Sequence, residues 1–239
     1  MMKNTTILLL FTFAIGFTSF AQNQKFKLGL NLFPNYCLGI VSSSMNGDDG
    51  VKQVIQNFET WKPSISASVF VEYQLKENAF LGFGMGYQNN GEQSKKKALV
   101  FNIDPTTGQS IFDPSQPSHA KYKYNHHNLE IPVFYRHLFN DRFYGLVGLS
   151  GIVNLFNTRT SIYYYTEKPS ERNTKIDNST DFRRLNLSTN IGVGYDLLQK
   201  EKFTLYVQPN IQCAILGVSK NAIINRNPIS LGLAMGIRL

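Results

Sequence analysis

The sequence is short of the residues that mark several common classes of protein. Among its 239 residues there are two cysteines, Cys37 and Cys213, which are too few for a disulfide framework. On strands their side chains would face opposite ways, so we interpret both as small packing residues. After residue 21 no run is long and apolar enough to form a transmembrane helix. The pattern therefore excludes a disulfide-rich domain and a helical membrane protein.

Dense charge is scarce as well. The formal net charge is +8, but Lys95, Lys96 and Lys97 form the one compact basic run. A nucleic-acid surface would need basic side chains interleaved with stacking aromatic residues on one face. The lysine run lacks that pattern, and we interpret it as part of a solvated loop. No nucleic-acid partner is expected.

The first 21 residues are predicted to be a secretory signal peptide. They contain a positive residue, Lys3, an apolar stretch at positions 7–17 and a small-x-small cleavage site at positions 19–21. The apolar stretch is shorter than the roughly 18 residues that a membrane-spanning helix needs. The expected mature start is Gln22 rather than a cysteine, which argues against a lipoprotein anchor. We therefore expect an exported protein with one domain over residues 22–239.

A long hairpin at residues 124–156 sets the pattern of the mature chain. In its first half apolar side chains occupy alternate positions, and Glu130 and Arg136 lie on the opposite side. The pair Asn140-Asp141 is typical of a tight turn. In the second half apolar residues alternate with glycines and small polar residues. A period of two residues predicts two strands, each with one apolar and one polar face.

The same alternation recurs along the chain and predicts about eight strands. Most are long enough for the roughly 9–11 residues that a tilted membrane strand needs. Short turns alternate with three long loops, at residues 42–59, 91–121 and 158–181, and residues 51–58 are compatible with a short helix. Outer-membrane barrels have short periplasmic turns and long extracellular loops in this way. We therefore predict an all-β fold, an eight-stranded antiparallel transmembrane β-barrel.

Alternation alone leaves open which face points outward, since a soluble lipocalin-like barrel would place the apolar row inside. The polar row is rich in Gly, Ser, Asn and Gln, and aromatic residues gather near strand ends, as interfacial girdles require. Its charged side chains can pair across a lumen, which burial of charge demands. The predicted lumen charges are Lys27, Glu72, Glu130, Arg136, Arg184, Asp196 and Arg238.

This arrangement makes outer-membrane lipid and lipopolysaccharide the expected neighbours of the apolar row. The interior of an eight-stranded barrel is just filled by side chains, so no wide pore is expected.

Metal and catalytic chemistry have little support in the sequence. His126 and His127 lie close to Glu130, but adjacent strand residues point to opposite faces, and a metal site needs three or four converging ligands. A hydrolase would need a nucleophile in contact with its base. On a strand, a histidine and a serine two residues later share one face and could form such a pair, but the residue two positions after His126 is Asn128. We expect no cofactor, no metal and no enzymatic activity. Pro132 is unusual in a central strand and predicts a local bulge or bend.

Three segments resemble a known family. Residues 128–135 (Asn-Leu-Glu-Ile-Pro-Val-Phe-Tyr) and residues 143–151 are similar to the central hairpin of the PorT-like outer-membrane β-barrel family, and residues 232–239 are similar to its terminal strand. The resemblance covers residues 22–239. It implies an outer-membrane protein of a Gram-negative bacterium. Because the family's namesake is linked to type IX protein secretion, it also implies secretion-system or envelope proteins as partners. The family has no active-site residues to carry over.

Three functional hypotheses remain. The first is an accessory of protein secretion or envelope assembly, which predicts stable co-purifying partners. The second is a stand-alone barrel whose extracellular loops bind ligands or surfaces. The third is a lipid-modifying barrel enzyme, which predicts altered lipid A on overexpression.

Overall fold

The computed structural model describes residues 25–43, 49–101, 106–107, 113–177, 179, 181–220 and 224–239. The predicted signal peptide lies outside these residues and stays a prediction. The described residues contain twelve strands and one helix, α1 (Asp49–Phe58). The strands are β1 (Phe26–Ser43), β2 (Glu59–Thr60), β3 (Lys62–Lys76), β4 (Ala79–Asn90), β5 (Gln93–Ser94), β6 (Lys97–Ala98), β7 (His119–Leu138), β8 (Phe143–Tyr164), β9 (Glu171–Asp177), β10 (Leu185–Gln199), β11 (Thr204–Ala214) and β12 (Ile224–Arg238). No helix in this part of the chain is both long and apolar enough to cross a membrane.

The long strands pair in a closed, antiparallel ring of hydrogen bonds. The order is β1–β3–β4–β7–β8–β10–β11–β12, and β12 pairs with β1 to complete the circuit. The expectation of eight strands is therefore incomplete, because β2, β5, β6 and β9 are additional short strands outside this circuit. The connections β3–β4, β7–β8 and β10–β11 are short and lie at one end of the ring, which we call the turn end. The opposite end is called the loop end.

The apolar row of every ring strand points outward. On β3 and β4 the side chains of Val69 and Phe83 are 42% and 60% exposed, whereas the inward Glu72 is 1% exposed. The prediction that the polar row faces the lumen is confirmed by this burial pattern. The outward row ends in aromatic contacts at both ends of the barrel, such as Phe143–Tyr195 at the turn end, with ring centroids 4.7 Å apart. These are the positions that an interfacial girdle occupies.

Four aromatic rings fill the lumen near the turn end, and each lies against a glycine of a neighbouring strand. The rings belong to Phe70, Phe134, Tyr144 and Tyr206. The glycines beneath them are, in the same order, Gly29, Gly82, Gly194 and Gly236. A Cβ atom at any of these glycines would collide with the ring above it. The narrow interior therefore has room for each of these rings only because the residue facing it is a glycine, which has no side chain.

Of the bulge or bend predicted at Pro132, the structure excludes the bulge. The β4–β7 ladder has the same register before and after this residue, with Phe83 opposite Val133 and Gly86 opposite Glu130. Proline has no N–H to donate, so the ladder loses contacts there without an inserted residue. The bulge of this hairpin lies further along, where β8 carries one extra residue between its pairings with His127 and Asn128.

The loop end is more ordered than the sequence suggested. Strands β7 and β8 have 20 and 22 residues, about twice the 9–11 that a membrane strand needs, so both continue beyond the apolar belt. Strand β9 pairs with the upper part of β8. Residues 158–181 were predicted as a loop whose first part, residues 161–165, could extend the preceding strand, and they largely form this hairpin. Residues 51–58, expected to be compatible with a helix, lie in α1. We call the β7–β8–β9 extension the projecting sheet.

Candidate functional site

A buried ion network occupies the lumen at the turn end. Arg136 donates two hydrogen bonds to Glu72, from Nε to Oε1 at 2.9 Å and from Nη2 to Oε2 at 2.6 Å. Arg238 lies 3.5 Å from the same carboxylate and donates to Asp196 at 2.8 Å. All four residues are at most 5% exposed. Two guanidinium groups and two carboxylates therefore balance one another in a site without bulk water.

Aromatic faces enclose the two guanidinium groups. Arg136 lies 4.0 Å from the ring centroid of Phe80, and Arg238 lies 4.1 Å from that of Tyr206 and 4.7 Å from that of Tyr144. Lys27 sits beside this network, with its ammonium 5.6 Å from the Phe80 ring. Such stacking adds a cation–π attraction to each ion pair. The network closes the lumen with charged side chains that have little freedom to move.

The remaining predicted lumen charges lie elsewhere. Glu130 is buried higher in the barrel and accepts a hydrogen bond from Gln212 Nε2 at 2.6 Å. Arg184 is exposed, immediately before β10, and is not among the lumen charges. The other six predicted residues lie within ring strands, whereas Arg184 precedes its strand.

A second polar cluster lies at the loop end, and three of its four residues come from stretches that the sequence predicted as loops. Arg226 pairs with Glu59 at 2.7 Å and lies 3.8 Å from Glu92, and Glu92 lies 3.5 Å from His126 Nε2. His126 Nδ1 is 2.7 Å from Asn157 Oδ1, which fixes the imidazole orientation. We call Glu59, Glu92, His126 and Arg226 the mouth cluster.

Burial and the neighbouring charges act in opposite directions on the carboxylates of the mouth cluster. Burial raises the pKa of Glu59, although Arg226 works against it. Burial would also raise the pKa of Glu92, but the hydrogen bond and charge of His126, with the charge of Arg226, outweigh it and lower that pKa. Glu92 is therefore held as a carboxylate at the mouth of the barrel.

Two cavities share lining residues of the mouth cluster, and we call them together the loop-end cleft. One, of about 340 Å³, lies beside Phe182 and Asp181. The other, of about 380 Å³, lies between α1 and the projecting sheet. Glu92, Tyr124 and Arg226 line both. Arg159 extends over the second cavity with its guanidinium 5.0 Å from the Tyr122 ring and 5.6 Å from the Tyr124 ring. This combination of aromatic faces and a guanidinium suits a polar ligand.

Comparison with known proteins identifies the family of the chain. The profile of the family described as outer membrane protein beta-barrel domain matches residues 20–210. The chain belongs to this family. It is an outer-membrane β-barrel protein, with an all-β antiparallel sheet closed by hydrogen bonds.

Solved structures of outer-membrane proteins also resemble this barrel. Neisserial surface protein A (NspA) has 12% identity and a TM-score of 0.39, with 90% of this chain and 97% of that chain covered. The attachment invasion locus protein Ail of Yersinia pestis has 9% identity and a TM-score of 0.32, with coverage of 89% and 99%. With scores this low, no detail of either protein carries over to the barrel. No curated protein matches the chain in sequence.

The paired histidines of the barrel are separated by its wall. His126 is buried on the inside, whereas His127 points outward and stacks on Phe156 with ring centroids 4.2 Å apart. Their opposite orientation follows from the strand geometry that the sequence predicted. No group of three or more His, Cys, Asp or Glu side chains in the described residues is arranged to hold a metal ion. Cys37 and Cys213 are both free thiols.

Sequence reasoning missed the mouth cluster of this outer-membrane barrel. Glu59 and Glu92 belong to stretches without a periodic pattern, and Arg226 precedes the clearly alternating part of the last strand. The signal available was Gly91, which adopts φ = +131° directly before Glu92. A conformation of that kind favours glycine and brings the backbone close to Tyr124, whose carbonyl would clash with a Cβ atom at this position.

Proposed function

We propose that this outer-membrane barrel acts as a stand-alone surface protein that binds a polar ligand at its loop end. The single observation that carries the proposal is the loop-end cleft, in which Arg159 lies over Tyr122 and Tyr124 on a projecting sheet. In outer-membrane barrels the short turns face the periplasm and the long connections face the exterior. The loop-end cleft is therefore proposed to open outside the cell.

Three features support a binding role over transport. The ring of long strands has eight members, and the interior of an eight-stranded barrel is filled by side chains. The four-ring aromatic layer and the buried ion network both occupy the lumen near the turn end. The outward apolar row is proposed to contact outer-membrane lipid and the acyl chains of lipopolysaccharide. No catalytic step is part of this proposal.

The resemblance of residues 128–135 and 232–239 to the PorT-like family supports a second candidate, an accessory of protein secretion or envelope assembly. The two candidates differ in partners. A secretion accessory would be held in a complex with other envelope proteins, and a stand-alone barrel would not.

The first experiment separates these candidates. The protein is extracted from native outer membranes in mild detergent, and the mass of the species that carries it is measured. A mass equal to one barrel with its detergent supports the stand-alone proposal. A large assembly would refute it and favour the secretion role, and the co-purifying chains would name the pathway.

The second experiment tests the cleft. Purified wild-type protein is applied to an array of acidic and neutral oligosaccharides, beside Arg159→Ala and a control, Lys168→Ala. Lys168 is also a cation on the β8–β9 hairpin, but it pairs with Glu171 away from the cleft. We expect the Arg159 variant to lose bound oligosaccharide and the control to retain it. If all three proteins bind equally, Arg159 is not part of the binding site.

A further inference from the structure

The outward face of the projecting sheet carries a set of cations. On β7 the outward row continues upward from His127 through Lys123 to Lys121. Lys121 lies opposite Ile162 of β8, which lies opposite Arg172 of β9, so these three residues form one row across the sheet. Cross-strand partners share a face, and alternate residues on a strand share it too. We call Lys121, Lys123 and Arg172 the basic face.

The basic face is not neutralised by the protein. Among the described residues, no carboxylate lies within ion-pair distance of any of its three cations. The nearest acids in sequence, Glu171 and Asp177, occupy β9 positions of the opposite parity to Arg172. Partial burial, with the charges of Lys121 and Arg172, lowers the pKa of the Lys123 ammonium. The three cations therefore repel one another, and a bound anion would relieve that repulsion.

The height of the basic face relative to the membrane restricts its partner. The apolar belt ends on this side at the contacts of Tyr87, His127 and Phe156. Lys123 and Lys121 lie four and six residues further along β7, roughly 13 and 20 Å along the strand. With the usual strand tilt of about 40°, they stand roughly 10–15 Å above the belt. This is above the acyl chains and at the level of a large, anionic headgroup.

We propose that the basic face binds the phosphate groups of lipopolysaccharide in the surrounding outer leaflet. Lipopolysaccharide carries its phosphates on sugars that rise above the acyl chains, so they meet an outward-facing cationic surface at this height. Arginine and lysine form strong charge-assisted hydrogen bonds with phosphate. The face is on the outer wall of the sheet, whereas Arg159 and the loop-end cleft are on the inner wall. The inference rests on the proposed function in placing the loop end outside the cell.

The test compares two triple variants with equal loss of charge. The first is Lys121→Gln, Lys123→Gln and Arg172→Gln. The control is Lys97→Gln, Lys168→Gln and Lys175→Gln, since Lys97 and Lys175 lie on the inner wall of the same sheet and Lys168 follows β8 at the hairpin tip. Heat-modifiable gel mobility confirms that each barrel is folded. Dissociation constants in detergent micelles are then measured for lipopolysaccharide, for the same material after phosphatase treatment, and for phosphatidylglycerol.

We expect the basic-face variant to bind lipopolysaccharide on the order of a hundredfold more weakly than wild type, since each of three cations near an anionic surface contributes about 1 kcal/mol and about 1.4 kcal/mol is tenfold in a dissociation constant. The control variant should bind as wild type does. Removing the phosphates should weaken wild-type binding by a similar factor. Equal loss in both triple variants, unchanged binding by the basic-face variant, or unchanged binding after phosphatase treatment would overturn the proposal. If the wild-type protein binds phosphatidylglycerol as tightly as it binds lipopolysaccharide, the proposal is overturned as well, in favour of a phospholipid.

One further measurement separates this inference from the proposed function. Intact cells that express the Lys168→Cys variant are treated with a membrane-impermeant maleimide. If intact cells are labelled, and if only the basic-face variant loses lipopolysaccharide binding, the result supports both the proposed function and the basic-face inference. Labelling with unchanged lipopolysaccharide binding overturns the basic face alone. Labelling only after permeabilisation would place the loop end in the periplasm and overturn both.

Discussion

Replacing Glu72 by glutamine is expected to destabilise the barrel more than any other single loss of a carboxylate. Glu72 is 1% exposed and holds Arg136 through two hydrogen bonds while lying 3.5 Å from Arg238. In the wild type, Glu72 and Asp196 balance the two arginines. In the variant, two buried guanidinium groups share one carboxylate, and the ammonium of Lys27 lies beside them.

Removing one partner of a buried ion pair costs about 3–5 kcal/mol, because the other charge is left buried without compensation. If the free energy of unfolding falls by about 2 kcal/mol for each molar of urea, this loss lowers the urea concentration at the unfolding midpoint by about 2 M. The double variant Glu72→Gln with Arg136→Met should lose less than Glu72→Gln alone. It removes the orphaned charge and leaves the Arg238–Asp196 pair intact.

The assay is urea unfolding of the protein in lipid vesicles, with the folded fraction measured by heat-modifiable gel mobility. The control is Glu171→Gln, which breaks the exposed Lys168–Glu171 pair, a surface contact of a kind that contributes little. We expect no measurable change for this control. If the Glu72 and Glu171 variants have the same midpoint, or if the double variant is no more stable than Glu72→Gln, the lumen network does not stabilise the barrel as argued.

Three further predictions follow from the lumen and the mouth. Gly194→Ala should lower the free energy of unfolding by about 1–3 kcal/mol, because its methyl group would enter the Tyr144 ring, whereas Gly151→Ala, with open space at that position, should be nearly neutral. Glu92→Gln should cost stability at neutral pH, because the folded-state pKa of Glu92 is lowered; this cost should shrink as the pH falls below about 4, and a cost that grew in acid would contradict the pairing with His126. In planar bilayers the purified protein should show no steady single-channel conductance, and a stable ohmic channel would contradict the closed lumen.

The ring and its two faces were predictable because they depend on short-range information. A period of two residues fixes which side chains share a face, and tight turns fix which strands are neighbours. Individual pairings inside the lumen were less accessible. Glu72 and Arg136 share a face of two strands that do not pair directly, since β4 lies between β3 and β7. Their contact depends on the curvature of the closed ring, which no local pattern contains.

The extra strands were missed for a different reason. Strands β2, β5 and β6 have two residues each, too few to show a period. Strand β9 has seven residues, all of them polar except Ile176, so it lacks the alternation that marks the ring strands. Its place in the structure is set by the hydrogen-bond ladder to β8, and not by burial of an apolar face.

The loop end depends on one residue that strand alternation could not locate. Continuing the outward row of β8 upward from Val153 would place Leu155, Asn157 and Arg159 outside. The structure instead inserts an extra residue between Asn154 and Phe156, at the level where β8 stops pairing with β10 and begins to pair with β9. Asn157 therefore turns inward to His126, and Arg159 turns inward to the loop-end cleft. Because Leu155 and Phe156 are both large and apolar, the sequence gives no sign of which of them is extra. Because of the bulge, Arg159 lies on the inner wall of the projecting sheet, which carries the cleft. Thr160 and Ile162 lie on the outer wall beside Lys123 and Lys121 of the basic face.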